Sequence, residues 1–228
     1  MEAILLAGGF GTRLRQVVPD VPKPMAPIAG RPFLEILLHS LSAKGFSKII
    51  LSLGYKAAMI SSYFGNTYAG MNLEYTIEDF PLGTGGASRL GAQLCTEDHI
   101  YIFNGDTYLN LEIDLIERQW CRGRSPIIVG TSMQDTNRYG RLIVEGQRVI
   151  GFAEKGIRGP GLINAGCYVI ARKALDHFPG NSHFSFETDY LQPIVKDSVV
   201  EIFRTNSIFI DIGVPEDYAR AQELLTCP

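Results

Sequence analysis

The segment LLAGGFGTRLRQVVPDVPKPM, residues 5 to 25, contains three glycines and three basic side chains. Gly8, Gly9 and Gly11 directly follow an apolar run, and glycines there let backbone N–H groups approach a bound anion. Arg13 comes next, and Lys23 lies between two prolines that restrict the backbone on both sides. Any one of these residues alone is typical of a solvated surface loop, but together they predict a loop that binds a polyphosphate.

Two carboxylates occupy positions suited to a hard cation. Asp106 follows the apolar run HIYIFN (99 to 104), and Asp211 lies between two isoleucines in SIFIDI (207 to 212). A carboxylate inside an apolar strand is costly unless it is paired or bound to a metal. Magnesium takes one or two carboxylates together with phosphate and water. The sequence Asn-Gly-Asp is also common in turns, so a plain turn at Asp106 stays open.

A third group of candidate residues lies in YTIEDFPLGTGGASRL, residues 75 to 90. Glu78 and Asp79 end a strand pattern, and Gly83, Gly85 and Gly86 lead into a helical pattern. Such a turn offers bare backbone to a flat base. The same glycines would also serve a tight turn and close helix packing, so both interpretations stay open.

The glycine loop belongs to neither of two common nucleotide-binding motifs. The pattern GxxxxGK[ST] of a P-loop is absent, and Leu14 stands where a dinucleotide fingerprint needs its third glycine. The second predicted strand ends in LSLGYK, without an acidic residue that could hold a ribose. A nicotinamide dehydrogenase, the alternative from another enzyme class, is therefore disfavoured.

The elements that must position these groups alternate along the first half of the chain, where short β-rich runs alternate with segments of helical period. Strands are predicted at 3–7, 48–53, 73–78 and 99–104, and helices at 33–46, 56–64, 84–95 and 112–122. Further strands are predicted at 126–132, 140–146, 148–155, 162–170, 199–203 and 207–212, before a helix at 215–226.

This order predicts one mixed α/β domain over residues 1–228. Parallel strands need crossover connections, so the first half predicts a parallel sheet with helices on both faces. The second half has short turns and should add antiparallel strands to the same sheet. Open α/β sheets bind ligands at the carboxyl ends of their strands, which is where the candidate residues fall.

Composition limits the partners and the compartment. The 228 residues carry a net charge of −3, which gives no reason to expect a nucleic acid or an anionic membrane as partner. The four cysteines are widely spread and form no CxxC pair, so reduced thiols are expected. The first apolar run is too short for a membrane span and lacks the basic flank of a signal peptide. A cytoplasmic location is predicted.

The segment LAGGFGTRL…PKPM resembles the signature of the sugar-1-phosphate nucleotidylyltransferases. The resemblance extends over essentially the whole chain, because PLGTGGA, NGDTYL, FAEKG, INAGCYVI, FSFETD and FIDIGVPEDY follow in the family's order. It implies a Rossmann-like three-layer αβα sandwich with a central mixed, mostly parallel sheet. The implied reaction uses magnesium and converts a sugar 1-phosphate and a nucleoside triphosphate into a nucleotide-sugar and pyrophosphate. The nucleotide-sugar would be a precursor of surface polysaccharide.

The resemblance also implies roles for individual residues. Arg13, Lys23 and Asp106 match catalytic residues, and Asp106 and Asp211 match the magnesium ligands. The implied nucleotide contacts are Leu6, Ala7, Gly8, Gly9, Gly11, Thr12, Glu78, Gly83 and Thr84. The implied contacts to the sugar phosphate are Asn104, Gly140, Glu154, Lys155, Asn164, Gly166, Glu187 and Asp189. The family more often has proline where Gly156 follows Lys155.

Within the family, the sequence most resembles the short enzymes that attach GMP to D-glycero-α-D-manno-heptose 1-phosphate, and next the mannose-1-phosphate guanylyltransferases. Glu78 stands where the base-reading residue is expected, and a carboxylate can accept from the N1–H and 2-amino groups of guanine. GTP is therefore the predicted donor, although the family also uses glutamate here with other bases.

Other hexose 1-phosphates stay open as acceptors. A non-catalytic relative that binds a nucleotide-sugar is the alternative from another class. The chain ends soon after its last helix, so no β-helix domain is expected. A monomer and a homodimer both stay open.

Overall fold

A computed structural model of the protein describes residues 1–154 and 156–225. The strands are β1 (Glu2–Leu6), β2 (Pro27–Ile28), β3 (Arg31–Pro32), β4 (Lys48–Leu53), β5 (Thr67–Tyr68), β6 (Met71–Ile77), β7 (His99–Asn104), β8 (Thr107–Leu109), β9 (Ile127–Met133), β10 (Arg141–Glu145), β11 (Arg148–Ala153), β12 (Gly161–Ala171), β13 (Glu201–Thr205) and β14 (Phe209–Asp211). The helices are α1 (Phe33–Ala43), α2 (Ala57–Phe64), α3 (Gly83–Ala92), α4 (Ile113–Gly123), α5 (Gln192–Asp197) and α6 (Pro215–Leu224), and a π-helical segment (Phe186–Leu191) precedes α5.

The predicted alternation of strands and helices is confirmed, with ends that differ by a few residues. Helix α1 ends at Ala43 rather than at residue 46 because the chain turns at Gly45, whose φ is +83°. That left-handed conformation is easy for glycine and ends many helices.

The described strands form a ten-stranded sheet in the order β10-β11-β13-β9-β12-β7-β1-β4-β6-β5. The pairs β7–β1, β1–β4, β4–β6 and β13–β9 are parallel. The other neighbours in this order are antiparallel. The sheet is mixed, as predicted, but it is not mostly parallel: among the described strands, four neighbouring pairs are parallel and five are antiparallel, because the second half of the chain adds antiparallel strands. Its parallel pairing is concentrated in the first half of the chain, where helices connect most of the successive strands of the sheet.

Both faces of the sheet are covered, so the fold has three layers. Alternate residues of β1 point to opposite faces: Ala3 and Leu5 belong to one buried cluster and Ile4 to the other. Helices α1, α2, α4 and α6 pack on the first face, and α3, α5 and the π-helical segment pack on the second. In the described part of the chain, no helix is both long enough and apolar enough to cross a bilayer.

The parallel strands bring several loops to one edge of the sheet. Leu6, at the end of β1, is in register with Ser52 of β4 and with Asn104 of β7. The crossovers from β1 to β6 lie on one face, whereas α3 returns the chain to β7 on the other face. Such a reversal opens a cleft beyond the strand ends, and ligands of doubly wound sheets bind there.

A buried carboxylate anchors the opposite end of β1. Glu2 accepts hydrogen bonds from the backbone N–H groups of Thr96 and Glu97, at 2.6 and 2.9 Å, and from the Thr96 hydroxyl at 2.8 Å. Lys48 lies 3.9 Å away. Burial opposes ionisation of Glu2, but these hydrogen bonds and the lysine charge outweigh it, so the pKa lies below its ordinary value of 4.5.

The variant Glu2→Gln is expected to destabilise the protein by about 1–3 kcal/mol at pH 7, because charge-assisted hydrogen bonds are lost in a buried setting. The lowered pKa of Glu2 stabilises the folded state above pH 4.5, and this contribution is lost as the pH falls through the folded-state pKa. Urea unfolding of both proteins at pH 7 and at pH 3–4 measures the difference. The variant Glu145→Gln, at an exposed position, is the control. A difference in unfolding free energy between the parent and Glu2→Gln that is as large at pH 3–4 as at pH 7 would contradict the prediction.

Candidate active site

Two cavities meet at the carboxyl ends of β1, β4, β6 and β7. The first, of about 490 Å³, is called here the glycine-loop cavity, and its lining includes Leu6, Gly8, Gly9, Ser52, Gly54, Glu78, Gly83 and Thr84. The second, of about 280 Å³, is called the carboxylate cavity, and its lining includes Arg13, Arg138, Gly140, Glu154, Asn164, Gly166, Glu187 and Asp211. Asn104 and Asp106 line both cavities, so two molecules bound side by side would meet at the end of β7.

The glycine loop needs its small residues because backbone segments approach one another closely. A β-carbon at Gly54 would lie 2.7 Å from the carbonyl oxygen of Gly8, so the ends of β1 and β4 could not come together with larger residues. Gly11 has a φ of +60°, and a β-carbon there would lie 2.8 Å from Cβ of Lys23. Gly9 has no atom within 4 Å of such a position, so its outer face is open.

Lys23 is held rigidly beside this loop. It begins a short 3₁₀ turn, Lys23–Met25, in which Pro24 and Met25 are buried. The N–H of Met25 donates to the carbonyl of Pro22 at 2.8 Å. The proline positions predicted to restrict Lys23 therefore do so by packing as well as by their fixed φ.

The ammonium group of Lys23 lies between the two carboxylates that the sequence singled out. Its Nζ is 2.6 Å from Oδ2 of Asp106 and 3.8 Å from Oδ1 of Asp211, and its side chain is only 11% exposed. Asp211 in β14 is in register with Thr107 of β8, which places it beside Asp106. One cation and two anions from distant parts of the chain thus share one site.

The pKa of Asp211 is raised from its ordinary value of 3.8. Burial is the main cause and the neighbouring charge of Asp106 adds to it, whereas Lys23, the N–H of Gly213 and Arg13 act in the opposite direction. The Gly213 N–H donates to Oδ1 of Asp211 at 2.7 Å. Burial and Asp106 therefore destabilise ionised Asp211 more than its neighbouring donors and cations stabilise it.

This donor set fits a hard divalent cation. Within residues 1–154 and 156–225, no group of three or more His, Cys, Asp or Glu side chains is arranged to hold a metal ion. A cation at Asp106 and Asp211 would take two carboxylates from the protein and its other ligands from substrate and water. That is the usual coordination of Mg²⁺ by enzymes that act on phosphates.

Glu78 directly follows β6 and lines the glycine-loop cavity. Its Oε2 accepts a hydrogen bond from the backbone N–H of Leu82 at 2.8 Å, and its Oε1 accepts a longer one from Ser52 at 3.4 Å. The first bond fixes the carboxylate at the mouth of the turn before α3. The second oxygen lies on the side of Gly8, since a β-carbon there would be 3.4 Å from it.

The glycines that lead into α3 serve close packing. A β-carbon at Gly85 would lie 2.2 Å from the ring of Phe184, and one at Gly83 would lie 2.5 Å from the carbonyl oxygen of Phe184. The Gly85 N–H donates to that carbonyl at 2.9 Å. Gly83 also lines the glycine-loop cavity, whereas Gly85 does not, so the two interpretations of these glycines apply to different members of the group.

A hydrogen-bond network holds three residues that line the carboxylate cavity, Asn164, Gly166 and Glu187. Nδ2 of Asn164 donates to Oε1 of Glu187 at 2.7 Å and lies 2.8 Å from the hydroxyl of Tyr168, which itself donates to Glu187 at 3.0 Å. Oδ1 of Asn164 accepts from the N–H of Gly166 at 3.1 Å. Polar groups fixed in this way suit the recognition of hydroxyl groups.

Most of the predicted site residues line one of the two cavities, but not all of them do. Ala7 is buried, with its N–H bonded to the carbonyl of Ser52 at 2.8 Å, and neither it, Gly11 nor Thr12 lines a cavity. Lys23 lines neither cavity itself and reaches their shared boundary through its contact with Asp106. Asp189 also lines neither cavity, and its carboxylate accepts a hydrogen bond from the N–H of Ser185 at 2.6 Å. Lys155 lies outside the described residues.

Sequence reasoning missed several residues that line the cavities. Phe10, Tyr55 and Phe80 line the glycine-loop cavity, and Arg138, Tyr139, Phe152, Gln192 and Phe209 line the carboxylate cavity. Phe10 and Phe80 are 55% and 51% exposed. Their place next to the glycine segments is the one signal in the sequence that could have indicated them.

A doubly wound sheet with a glycine loop, a lysine and two carboxylates at its switch point indicates a protein that acts on phosphate groups. A family model described as nucleotidyl transferase matches residues 2–227, and the chain belongs to this family.

Three relatives illustrate the similarity. The D-glycero-α-D-manno-heptose 1-phosphate guanylyltransferase of Aneurinibacillus thermoaerophilus is 41% identical, over 99% of this chain and 98% of its own. The mannose-1-phosphate guanylyltransferase of Mycobacterium tuberculosis is 34% identical over 96% of this chain, which spans 63% of that relative. The crystal structure of HddC from Yersinia pseudotuberculosis complexed with GMP-PN is 38% identical, with a TM-score of 0.88 and 99% coverage of both chains.

The variant Asp211→Asn is expected to raise the melting temperature at pH 7 in the presence of a chelator. A raised pKa means that the folded state binds the proton more tightly, so ionised Asp211 lowers stability as the pH rises above its ordinary pKa of 3.8. Each kcal/mol gained corresponds to about 2–4 °C. The gain should vanish toward pH 4. A variant less stable than the parent at pH 7 would contradict the inference that burial and Asp106 destabilise ionised Asp211.

Proposed function

We propose that this protein transfers GMP from GTP to D-glycero-α-D-manno-heptose 1-phosphate and releases pyrophosphate. The observation that carries the proposal is the meeting of the two cavities at Asn104 and Asp106, beside Lys23. A triphosphate in one cavity and a sugar phosphate in the other would bring two phosphates together at a cationic centre. The similarity to a heptose 1-phosphate guanylyltransferase over nearly the whole chain supports this choice of substrates.

The reaction requires charge neutralisation and alignment rather than a general base. The attacking group is an oxygen of the sugar phosphate, which is ionised at neutral pH. It forms a bond to the α-phosphorus of GTP as the bond to the leaving pyrophosphate breaks. Repulsion between the anions and the need for in-line geometry dominate the barrier. No histidine lines either cavity in the described structure, in keeping with this chemistry.

Lys23 and Arg13 are assigned the positive charge in this scheme. Lys23 is rigid and close to the shared boundary of the cavities, so its charge would act on the reacting phosphates without reorganisation. Arg13 lines the carboxylate cavity and not the glycine-loop cavity, so it would act on the triphosphate and the leaving pyrophosphate where the two cavities meet.

Asp106 and Asp211 would hold Mg²⁺, as their two carboxylates suit a hard cation. When bound, the ion would supply positive charge to the phosphate oxygens. Lys23 would add its own charge beside Asp106, from the position that it already holds.

The remaining assignments divide between the two cavities. Leu6, Gly8, Gly9, Gly83 and Thr84 would contact the nucleotide, and Glu78 would accept hydrogen bonds from the guanine edge. Asn104, Gly140, Glu154, Asn164, Gly166 and Glu187 would contact the sugar phosphate. Glu78 suits guanine because a carboxylate accepts from two neighbouring N–H donors, which a pyrimidine does not offer in that arrangement.

The wider setting follows from this activity. The nucleotide-sugar would serve as a precursor of a surface polysaccharide, such as a capsule, an S-layer glycan or lipopolysaccharide. Its synthesis would take place in the cytoplasm. Residues 1–228 would act as a single catalytic domain, since strands from both halves of the described chain belong to one ten-stranded sheet.

A matrix of sugar 1-phosphates against GTP, ATP, UTP, CTP and dTTP tests the proposal, with pyrophosphate release as the measurement. The largest kcat/KM is expected for heptose 1-phosphate with GTP in the presence of Mg²⁺, and a chelator should abolish it. Preference for mannose 1-phosphate would favour the hexose alternative. Tight nucleotide-sugar binding without pyrophosphate release would identify a non-catalytic relative instead.

The variant Lys23→Ala should lose ~3 kcal/mol of transition-state stabilisation, by comparison with the removal of an oxyanion donor. This corresponds to a fall of about a hundredfold in kcat. Exposed Lys196→Ala is the control for loss of a positive charge and should keep normal turnover. Near-normal turnover of Lys23→Ala, with its fold verified by circular dichroism, would refute the role given to Lys23.

A further inference from the structure

The carboxylate cavity presents an electrostatic problem for an anionic substrate. Four of its lining side chains are acidic: Asp106, Glu154, Glu187 and Asp211. Among the described lining residues, the basic ones are Arg13 and Arg138. Arg13 is assigned to the triphosphate, and Lys155, which the family resemblance assigns to the sugar phosphate, lies outside the described residues. Arg138 is therefore the described cation that remains for a second phosphate in this cavity.

Arg138 is fixed by a buried carboxylate. Its Nη2 donates to Oδ2 of Asp217, a residue in the first turn of α6 whose side chain is only 6% exposed. The other oxygen of Asp217 accepts from Arg220 at 3.1 Å. Buried Asp217 is therefore neutralised from two sides and cannot easily release either partner.

The guanidinium group of Arg138 nevertheless keeps donors for a ligand. Its side chain is 47% exposed, and an arginine has five N–H groups in a planar fork suited to phosphate oxygens. The group also lies 5.7 Å above the ring of Tyr139, which packs edge-on against Phe209 at 5.9 Å. Both aromatic residues line the same cavity, so Arg138 is held at its wall.

The backbone that carries Arg138 is anchored independently of any substrate. Thr136 is fully buried, and its hydroxyl donates to the carbonyl of Ile157 at 2.8 Å. The Tyr139 N–H donates to the carbonyl of Thr136 at 2.9 Å, and the side chain of Arg141 donates to the carbonyl of Arg158 at 2.7 Å. The position of Arg138 is therefore set before a ligand arrives.

We propose that Arg138 binds the phosphate group of the sugar 1-phosphate and that Asp217 is its positioning residue. This inference rests on the proposed function, because it assigns a ligand to one of the two substrates. Arg138 offers charge-assisted hydrogen bonds to the phosphate from the wall of the carboxylate cavity. Asp217 keeps the guanidinium from turning to the acidic residues nearby.

Two arginines that share the same buried partner provide a matched test. Arg138→Gln and Arg220→Gln each remove one ion pair from Asp217, but only Arg138 lines the cavity. Arg138→Gln should raise the KM for the sugar phosphate about tenfold to a hundredfold, as expected for hydrogen bonds to a charged group, with the KM for GTP unchanged. Arg220→Gln should leave both KM values within about twofold of the parent.

Further variants separate binding from a structural role. Arg138→Lys should recover part of the affinity, since it restores the charge but not the fork. Asp217→Asn should raise the KM for the sugar phosphate by less than Arg138→Gln does. Equal effects of Arg138→Gln and Arg220→Gln, or a parallel rise in the KM for GTP, would overturn the assignment of Arg138.

Calorimetric titration measures sugar-phosphate binding without turnover, so it tests the role of Arg138 separately from the proposed function. If the parent protein releases no pyrophosphate with any sugar phosphate, the proposed function fails. The binding constant for mannose 1-phosphate in the parent and the two glutamine variants would still decide the role of Arg138. A Kd unchanged by Arg138→Gln, or no binding to the parent protein, would overturn it.

Discussion

The contact of one lysine with two carboxylates is the constraint on which the site depends. Lys23, Asp106 and Asp211 come from three distant parts of the chain, yet Nζ of Lys23 lies 2.6 Å from one carboxylate and 3.8 Å from the other. Burial and mutual repulsion make such a carboxylate pair costly without a cation. Burial and the charge of Asp106 raise the pKa of Asp211, which agrees with that cost, and further positive charge would be accommodated beside this pair.

The sheet supplies the rigidity that this contact needs. Asp106 follows β7 at its carboxyl end, and Asp211 is in register with Thr107 through the small β8–β14 sheet. The glycine loop follows β1, the neighbour of β7. Backbone hydrogen bonds hold these strands at fixed spacing, so the charged groups stay within reach of one another. The two cavities meet at the boundary between β1 and β7, where the direction of chain winding reverses.

Much of the fold and the site could be predicted from local pattern. Apolar periodicity indicated the strands and helices, and the motifs indicated the nucleotidyl transferase family, which is confirmed. Asp211 could be singled out because an acid inside an apolar strand needs a partner. Asp189 illustrates the limit: its residue type suits a sugar contact, but its carboxylate is bound to the Ser185 N–H in the structure. Sequence spacing gave no information on that choice.

The sequence by itself determined the order of elements, the residue types at the strand ends and hence the phosphate chemistry. Only the tertiary structure decided which glycine approaches which partner: Gly11 lies against Lys23, Gly85 against Phe184, and Gly9 faces open space. It also decided that Arg138 reaches the cavity from its pair with Asp217, 79 residues away in sequence. Local propensities act over a few residues, whereas cavities and ion pairs arise from long-range packing, which no local pattern encodes.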